Sequence, residues 1–383
     1  MKAKSIKGKS NDEISIALRD SMTDGFTPTI AIVFMSVKQD REAISKLLDE
    51  QGISIFGATS SGEFIDGEIE EESTVIMLLD LDPQYFKIAY EETGEGATRE
   101  AARKIGALGK ATFSKPAFIV ASGGVSADGE MVVRGIEDAA GEGVTIFGGC
   151  AGDDLNMTAS YAFTNEKATD NGIVAIIINE EKVKIKGVAT SGWKPVGTLR
   201  TVTKSEGNIV YTIDNEPALD IVMKYLGLSP SDFNKVNDAI INFGVYFPLQ
   251  VQRENAPPVM RTAMLANVDE RSLICAGSVP QGSKIKFSLP PEFDIIDQVV
   301  SDCNQLKNEH IPDADAMVFF SCKARHLTLG PVIGEEIEAV KNVWNKPMAG
   351  YFCYGEMGKT IDGKHEFHNS TCCLVLLKEE SNN

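Results

Sequence analysis

The sequence predicts an α/β protein of two domains, each with a mixed β-sheet flanked by helices, and with strand-end glycine turns that suggest internal pseudo-repeats. Short apolar segments alternate with amphipathic segments along most of the chain, which is the pattern of strands and crossover helices. The 383 residues suit two domains of about 100 to 200 residues each. Hydrophobic residues make up 43% of the chain, enough to fill two cores.

The first half of the chain predicts two successive βαβ units surrounded by strand pairs with polar turns, which favours a mixed sheet. The elements of the two units are Ile30–Val37 (strand), Arg41–Glu50 (helix), Ile53–Gly57 (strand), Thr98–Leu108 (helix), Ala117–Ser122 (strand), Glu130–Ala140 (helix) and Val144–Gly148 (strand). The surrounding strands are Thr74–Leu79, Phe86–Glu91, Ile173–Asn179 and Val183–Ala189.

A capped helix over Asp214–Leu226 marks the predicted domain boundary. Asp214 serves as its N-cap, Pro217 lies in its first turn and Gly227 stops it. The resulting segments are a basic tail and lead-in (1–27), an N-terminal α/β domain (28–214), a C-terminal α/β domain (215–379) and a short tail (380–383).

The second half repeats the alternation of strands and helices, so it is also predicted to be α/β. The predicted strands are Ile240–Phe247, Val259–Asn267, Leu273–Gly277, Ala316–Ser321, Met348–Tyr354 and Cys372–Leu377. The predicted helices are Phe293–Asn308 and Gly334–Val343.

Composition restricts the partners and the compartment. The formal net charge of −18 offers no attraction to a phosphate backbone, so no nucleic-acid partner is expected. No segment approaches the roughly 18 apolar residues of a membrane span. Seven cysteines without framework spacing indicate reduced thiols and a cytoplasmic location. The basic segment Met1–Ser10 precedes polar residues rather than an apolar region, so we expect a solvated, frayed terminus.

A G-x-x-x-x-G pattern follows four strand-like segments, and a shorter relative, Gly148–Asp154, follows another. Glycine permits positive φ and the close approach of a ligand or a neighbouring strand. The pattern therefore serves either the packing of mixed sheets or the binding of a ligand. No copy has the Lys-Ser/Thr ending of a P-loop, so nucleotide binding is not predicted. The four copies are Gly57–Gly62, Gly187–Gly192, Gly277–Gly282 and Gly350–Gly355.

Several segments taken together resemble the FIST family, with its amino-terminal and carboxy-terminal domains in sequence. The resemblance covers about residue 28 to residue 377. It rests on the order of the segments and on the terminal G-Y-F-C-Y-G-E-M-G element. The segments are Gly57–Phe64, Gly148–Asp154, Ser321–Arg325, Gly350–Gly358 and Phe367–Asn369.

This resemblance implies an intracellular sensory protein that binds a small ligand, such as an amino acid or a related metabolite. Members are often fused or genetically linked to chemotaxis receptors, histidine kinases or cyclic-dinucleotide enzymes. We therefore expect a separate signalling partner, such as a histidine kinase, a chemoreceptor or a diguanylate cyclase or phosphodiesterase. One branch resembles haem-containing nitric-oxide sensors, so haem is the alternative to the expectation of no cofactor.

Polar side chains at strand ends form the predicted ligand site, because open α/β sheets place ligands there. Arg325 could hold a ligand carboxylate or form an ion pair with Glu335 or Glu356. Glu63 and Glu356 follow paired glycine turns and either bind a ligand ammonium or fix their own loops. The predicted ligand-binding residues are Ser60, Ser61, Glu63, Ser122, Asp153, Asp154, Arg325, Cys353, Tyr354, Glu356, His368 and Asn369.

Three histidines, His326, His365 and His368, are the candidates for a metal or a haem iron, or else ordinary hydrogen-bonded side chains. The chain has no C-x-x-C-H sequence for covalent haem attachment. We predict no other metal site, since the cysteines of the C-terminal half lack paired C-x-x-C spacing.

An enzyme is the remaining alternative, because Gly148–Gly152 has the G-x-C-x-G spacing of a nucleophile elbow with Cys150 as nucleophile. All four histidines lie in the other predicted domain, so a Cys–His pair would have to form across the domain interface. We therefore predict a ligand-binding sensor rather than a Cys-dependent hydrolase, with the ligand in the cleft between domains.

Overall fold

The computed structural model describes residues 1–94, 97–125, 128–228, 236–289, 292 and 294–380. Its main body consists of three repeats of one pattern: strand, helix, strand, helix, strand, hairpin, strand. The first repeat comprises β1 (Ala3–Gly8), α1 (Asn11–Ser21), β2 (Ile30–Met35), α2 (Arg41–Asp49), β3 (Ser54–Thr59), β4 (Glu63–Ile65), β5 (Glu68–Glu70) and β6 (Thr74–Leu79).

The second repeat follows the same pattern directly. It comprises β7 (Phe86–Glu92), α3 (Thr98–Thr112), β8 (Pro116–Ser122), α4 (Gly129–Ala140), β9 (Thr145–Cys150), β10 (Ala162–Phe163), β11 (Ala168–Thr169) and β12 (Gly172–Asn179).

The third repeat begins with β13 (Val183–Thr190) and is then interrupted by an inserted unit, residues 195–288. The inserted unit comprises β14 (Pro195–Glu206), β15 (Ile209–Ile213), β16 (Glu216–Pro217), α5 (Ala218–Leu226), α6 (Val236–Tyr246), β17 (Leu249–Arg253), β18 (Ala256–Arg261), β19 (Ala263–Asn267), β20 (Ser272–Cys275) and β21 (Lys284–Ser288). The repeat resumes with α7 (Asp294–Glu309), β22 (Ala316–Cys322), α8 (Lys323–Leu329), α9 (Ile333–Trp344), β23 (Met348–Cys353), β24 (Glu356–Lys359), β25 (His365–His368) and β26 (Cys372–Glu379).

Each repeat supplies four strands of one six-stranded sheet, and another repeat supplies the remaining two. The strand orders are β1-β6-β2-β3-β10-β11, β7-β12-β8-β9-β24-β25 and β13-β26-β22-β23-β4-β5. In every sheet a single parallel pair lies in the middle (β2/β3, β8/β9 or β22/β23), and the last two strands are a hairpin donated by a different repeat. The segments 28–214 and 215–379 therefore interlock, because two of the three sheets contain strands from both.

A closed ring of backbone hydrogen bonds joins the three turns that follow β3, β9 and β23. We call residues 59–63, 150–154 and 352–356 the turn ring. Each turn bonds to the next: Ser61 N to Phe352 O (2.9 Å) and Phe352 N to Gly62 O (2.9 Å), Cys150 N to Gly355 O (2.8 Å) and Tyr354 N to Cys150 O (3.2 Å), Gly152 N to Thr59 O (2.8 Å) and Asp154 N to Ser60 O (3.1 Å).

The three sheets share one central core. Phe34 of the first sheet lies 4.5 Å from Tyr351 of the third, measured between ring centroids, and both are fully buried. The core also takes apolar side chains of the second sheet, such as Ile119 and Phe147. Helices α1 and α2, α3 and α4, and α7 and α9 cover the outer faces of the three sheets in turn. Both faces of every sheet are thus buried, which explains the continuous apolar segments in the central strands.

The inserted unit has its own antiparallel sheet and its own core. Strands β18-β17-β21-β14-β15-β20-β19 form the sheet, with β16 paired to β15, and its core includes Leu219, Phe243 and Phe287. It contacts the body in two places: α6 packs on α8, and the segment around β18 packs on β25. There the buried Arg261 guanidinium donates to Phe367 O (2.8 Å), and Arg253 pairs with Glu366 (2.7 Å).

The structure bears out the α/β class, and the predicted strands and helices of the three sheets are present, with ends shifted by a few residues. Among the residues described, no helix is long and apolar enough to cross a membrane. The first residue of the predicted helix over 293–308 lies outside the described residues, and the helix itself runs from Asp294 to Glu309.

The predicted strand Ile240–Phe247 is wrong, since these residues belong mainly to α6. Its aromatic and β-branched residues suggested a strand, but a short apolar segment has no periodicity that separates a strand from a buried helix. Ile240 and Phe243 are both buried, which is the spacing of one helical face.

Two other expectations need correction. The basic segment Met1–Ser10 is not frayed, because β1 pairs with β6 along its whole length. Helix α5 begins at Ala218 rather than after Asp214. Asp214 and Asn215 instead have positive φ values of 52° and 65° and form a turn. Gly227 does end the helix in the left-handed conformation, as predicted.

Substitution of Gly350 tests the exchange of hairpins between repeats. A Cβ atom there would lie 2.1 Å from the Phe64 ring of the donated hairpin and 2.2 Å from Phe319 O. We expect Gly350→Ala to lower the free energy of unfolding by at least about 2 kcal/mol, measured by chemical denaturation. The control is Gly334→Ala in α9, where the nearest atom is 3.8 Å away and the effect should stay within about 1 kcal/mol. Equal stability of the two variants would contradict the packing.

Candidate functional site

The turn ring carries the same short motif three times: a serine or cysteine, any residue, glycine and an acid. The copies are Ser60–Glu63, Cys150–Asp153 and Cys353–Glu356. A second small polar side chain ends the neighbouring parallel strand in each sheet, since Ser122 is aligned with Cys150 and Cys322 with Cys353, while Ser36 follows β2. The ring therefore gathers three acids and six small polar side chains, most of which the sequence predicted as a group.

Glu63 is fully buried and binds its own loop. Its carboxyl accepts hydrogen bonds from Ser60 Oγ, from Ser73 N (3.1 Å) and from Ser73 Oγ (2.9 Å). Burial raises the pKa of Glu63 to about 7, and the serine hydrogen bonds only partly oppose this effect. Of the two roles left open by the sequence, the contacts of Glu63 are those of loop fixing.

Glu356 repeats this arrangement with thiols in place of hydroxyls. It is fully buried, and Cys353 Sγ donates to its Oε1 at 3.1 Å. Burial raises the pKa of Glu356 to about 8, opposed in part by the hydrogen bond from Cys353, while Oε2 of the same carboxyl has no hydrogen-bond partner among the described residues. The side chain of Asn369 lies beside this turn, 3.4 Å from where a Cβ on Gly355 would be.

Asp153 organises the turn after β9. Its carboxylate accepts backbone hydrogen bonds from Met157 (3.1 Å), Thr158 (2.7 Å) and Ala159 (3.2 Å), and a further one from Tyr354 Oη. Tyr354 thus ties the third repeat to the second. Asp154, partly exposed, accepts from Ser36 Oγ (2.6 Å) and links the second repeat to the first.

Arg325 lies apart from the ring, in the first turn of α8 rather than at the end of a strand. Its guanidinium is fully buried and bonds to both carboxylate oxygens of Glu336, and it donates to Ser191 O at 2.5 Å. Burial opposes the charge, but Glu336 raises the pKa of Arg325 above its ordinary value. The ion-pair partner is Glu336, not Glu335 or Glu356 as the sequence suggested.

Cys150 has the surroundings of a structural thiol. It is 3% exposed, and its Sγ accepts a hydrogen bond from Ser122 Oγ at 3.3 Å. Burial raises the pKa of Cys150 to about 12. A thiol that stays protonated is a poor nucleophile, so this geometry argues against the Cys-dependent hydrolase.

The three candidate histidines lie in different surroundings. His326 stacks on Phe352 (4.1 Å) with Nδ1 3.1 Å from Lys323 Nζ, and His365 packs edge-on against Phe147 (5.5 Å). His368 places Nε2 3.1 Å from Gly358 O. Burial lowers the pKa of these three side chains to about 4, 3 and 3 in that order. Over the described ranges, no group of three or more His, Cys, Asp or Glu side chains could hold a metal ion.

A cleft of about 370 Å³ lies between the inserted unit and the body. It is lined by residues 189–195 after β13, by β18, by one side of α7, by the turn between β24 and β25, and by residues 368 and 371. Buried polar side chains form part of its lining: Thr190 is 6% exposed, and His368 and Thr371 are each 2% exposed. The cleft therefore has the concave shape and the few fixed polar groups of a small-ligand site.

The ring and the cleft share the hairpin β24–β25. Glu356 of the ring is the strand partner of His368, and the turn of the same hairpin, Thr360–Asp362, forms one side of the cleft. Of the predicted binding residues, ten cluster at the ring, His368 lines the cleft and Arg325 lies with Glu336.

The sequence prediction missed Thr190, Trp193, Asp302 and Thr371 as lining residues of the cleft. The Gly187–Gly192 turn was a usable signal for the first two, because it ends a strand and leads into Trp193. Asp302 had none, since an acid on the polar face of a helix looks like any solvated side chain.

A second depression, of about 450 Å³, lies between α2 and the hairpin β10–β11. Its central amide, Asn165, already bonds to Asp49 (3.0 Å), Ile53 O (2.8 Å) and Ile55 N (2.8 Å). The cleft is the better candidate for a ligand, because its lining includes carboxylates, those of Asp302 and Asp362, that have no ion-pair partner among the described residues.

Comparison with known proteins gives two family matches and one relative. The FIST N domain matches residues 29–216, and the FIST C domain matches residues 218–359. An uncharacterized protein of Methanocaldococcus jannaschii is 24% identical over 348 residues. The similar region covers 83% of this chain and 65% of the relative, so the chain spans slightly less than two thirds of that protein's length.

Breaking the buried Arg325–Glu336 pair tests its structural role. We expect Glu336→Gln to lower the free energy of unfolding by about 3 kcal/mol, because it leaves a buried guanidinium without its counter-charge. The double variant Arg325→Met with Glu336→Leu should recover most of the loss. The exposed neighbour supplies the control, as Glu335→Gln should change stability by less than about 0.5 kcal/mol. If the double variant does not recover the free energy of unfolding, the loss in Glu336→Gln is not explained by the unpaired guanidinium, and the prediction is wrong.

The two buried ring acids predict an unusual dependence of stability on pH. The unfolded chain releases their protons near the ordinary glutamate pKa of 4.5, whereas the folded protein holds them to about 7 and 8. The folded state therefore binds more protons in this window, and the stability they contribute is present below pH 4.5 and is lost as the pH rises through 7 and 8.

We expect Glu356→Gln, which imitates the protonated acid, to flatten the fall in melting temperature between pH 5 and pH 8. Thermal denaturation across this range provides the measurement. Exposed Glu335→Gln should leave the slope unchanged, and a wild-type slope in Glu356→Gln would contradict the neutral state of this carboxyl.

Proposed function

Because this chain belongs to the FIST family, whose domains are signal-transduction domains, we propose that it is a sensor that binds a small polar metabolite in the cleft. The supporting observation is the cleft itself, which combines about 370 Å³ of space with buried polar side chains. Such a lining gives a ligand both orientation and exclusion of water.

Movement of the inserted unit is the proposed signal. The unit joins the body by two connections. It contacts the body through β18, which also lines the cleft, and through α6, which packs on α8. Around β18 the contact includes polar pairs, namely Arg253–Glu366, Thr262–Ser370 (2.9 Å) and Arg261 to the β25 backbone, beside the apolar packing of Met260 on Trp193 and Ile295. Polar interfaces between units of one chain rearrange more readily than apolar ones, so a ligand that touches both sides favours a closed arrangement.

The output reaches a signalling partner in this proposal, such as a histidine kinase, a chemoreceptor or an enzyme of cyclic-dinucleotide metabolism. The hairpin β24–β25 provides a second route for the signal, because it carries cleft residues at its turn and Glu356 at its start. Ligand contact at Thr360–Asp362 would then displace the hairpin and so change the turn ring, which holds the three repeats together.

Filling the cleft tests the proposal. A metabolite that binds there raises the melting temperature of the wild type, as any ligand selective for the folded state does. We expect Gln298→Trp, which places an indole from α7 into the cleft, to abolish this rise. Asp297→Trp is the matched control, because Asp297 is the exposed neighbour on the same helix and does not line the cleft.

A broad screen of amino acids, small carboxylates and amines by thermal denaturation provides the measurement. The proposal fails if no compound stabilises the wild type, or if the stabilising compounds act equally on Gln298→Trp. Slower hydrogen exchange in β18 and in residues 360–362 with ligand, but not in Gln298→Trp, is the expected sign of closure.

A further inference from the structure

We propose that the ligand of the cleft is a small organic cation with at least one primary ammonium group, and that Asp302 and Asp362 are its counter-charges. This inference rests on the proposed function, since it names the chemical class of the ligand for the same cleft. It narrows the class from polar metabolites in general to amines, and it excludes ligands whose main charge is a carboxylate.

The charges that line the cleft are unbalanced. Three carboxylates, Asp294, Asp302 and Asp362, face one ammonium, that of Lys194. Lys194 is already bound to Asp294 and lies 3.3 Å from Glu292. Within the described part of the chain, neither Asp302 nor Asp362 has an ion-pair partner. An added cation is therefore attracted to the cleft, and an added anion is repelled.

The carboxylate of Asp302 is held in place by neutral donors. It accepts hydrogen bonds from Thr190 Oγ1 and from Gln298 Nε2 (2.8 Å). These bonds fix the direction of the carboxylate but leave its charge uncompensated. A carboxylate that is oriented before the ligand arrives loses little freedom on binding, which favours a tight charge-assisted hydrogen bond.

His368 independently points to a donor on the ligand. It is 2% exposed and lines the cleft, and its Nε2 lies 3.1 Å from Gly358 O. A carbonyl only accepts, so the proton of the neutral ring is on Nε2 and Nδ1 is left as an acceptor. This nitrogen has no hydrogen-bond partner over the described ranges. Because Nδ1 opens to the cleft rather than being sealed in the interior, a ligand N–H that enters the cleft would satisfy it.

The ring of His368 cannot itself become the cation of the site. Burial, and then the nearby Arg261 charge, lower the pKa of His368 to about 3. The ring therefore remains neutral at physiological pH, and it accepts from a ligand amine rather than donating to a ligand carboxylate.

The remaining walls suit the carbon chain of an amine. Trp193 is 6% exposed, Met260 is 1% exposed, and Ile361 adds a third apolar side chain. An indole ring also attracts a nearby ammonium through its π-electrons. Asp302 lies on α7 and Asp362 in the turn between β24 and β25, so two separate elements of the cleft supply the carboxylates.

A four-carbon series separates charge from shape. Putrescine, γ-aminobutyrate, butanediol and succinate have the same carbon chain with two ammonium groups, one ammonium and one carboxylate, two hydroxyls, or two carboxylates. We expect putrescine to raise the melting temperature of the full chain and to bind by calorimetry, whereas butanediol and succinate do neither. Asp302→Asn should weaken putrescine binding by at least about tenfold, because it removes a charge-assisted hydrogen bond.

Asp297→Asn is the matched control, since it removes the same charge from the exposed face of the same helix outside the cleft. Equal effects of the two variants would overturn the inference, because they would show diffuse attraction to an acidic protein. Succinate binding, or the absence of putrescine binding, would overturn it as well. If another metabolite then binds in a manner abolished by Gln298→Trp, the proposed function stands and only the amine class fails.

Discussion

The ring of backbone hydrogen bonds between three strand-end turns is the constraint on which the rest of the structure depends. Each turn ends the central parallel pair of one sheet and then sends its hairpin to another sheet. The acids after the turns hold the loops in place by accepting hydrogen bonds. Glu63 accepts from serines, Glu356 from a thiol, and Asp153 from backbone amides. None of the three sheets of the body is complete without another repeat, so the body is one interlocked unit although its segments are far apart in sequence.

Burial of these acids sets their chemistry. Two carboxyls in the ring have raised pKa values because they are removed from water and receive only neutral donors. The cysteines of the ring follow the same rule, and their raised pKa values keep them as protonated, structural thiols. A polar cluster at strand ends is therefore engaged within the fold here, while the cleft in which we propose a ligand lies one hairpin away, beside the inserted unit.

The inserted unit turns a closed body into a protein with a cleft. It enters the third repeat after β13, where the other two repeats pass directly from strand to helix. Its position brings β18 to the same cleft as α7 and the β24–β25 turn. The cleft is therefore lined both by apolar side chains and by carboxylates that have no counter-charge. The same hairpin reaches the turn ring at Glu356, so one hairpin has residues in both the cleft and the centre of the body.

The sequence by itself determined the α/β class, the central strands, most helices and the group of polar residues at strand ends, because periodicity and turn chemistry are local properties. Only the tertiary structure decided that hairpins are exchanged between repeats, that Arg325 pairs with Glu336 and that Asp302 and His368 meet in one cleft. These contacts join residues that lie from 11 positions apart, in the Arg325–Glu336 pair, to hundreds of positions apart, in the pairing of β4 with β23. A local sequence pattern does not specify such pairings, because they depend on how whole sheets pack.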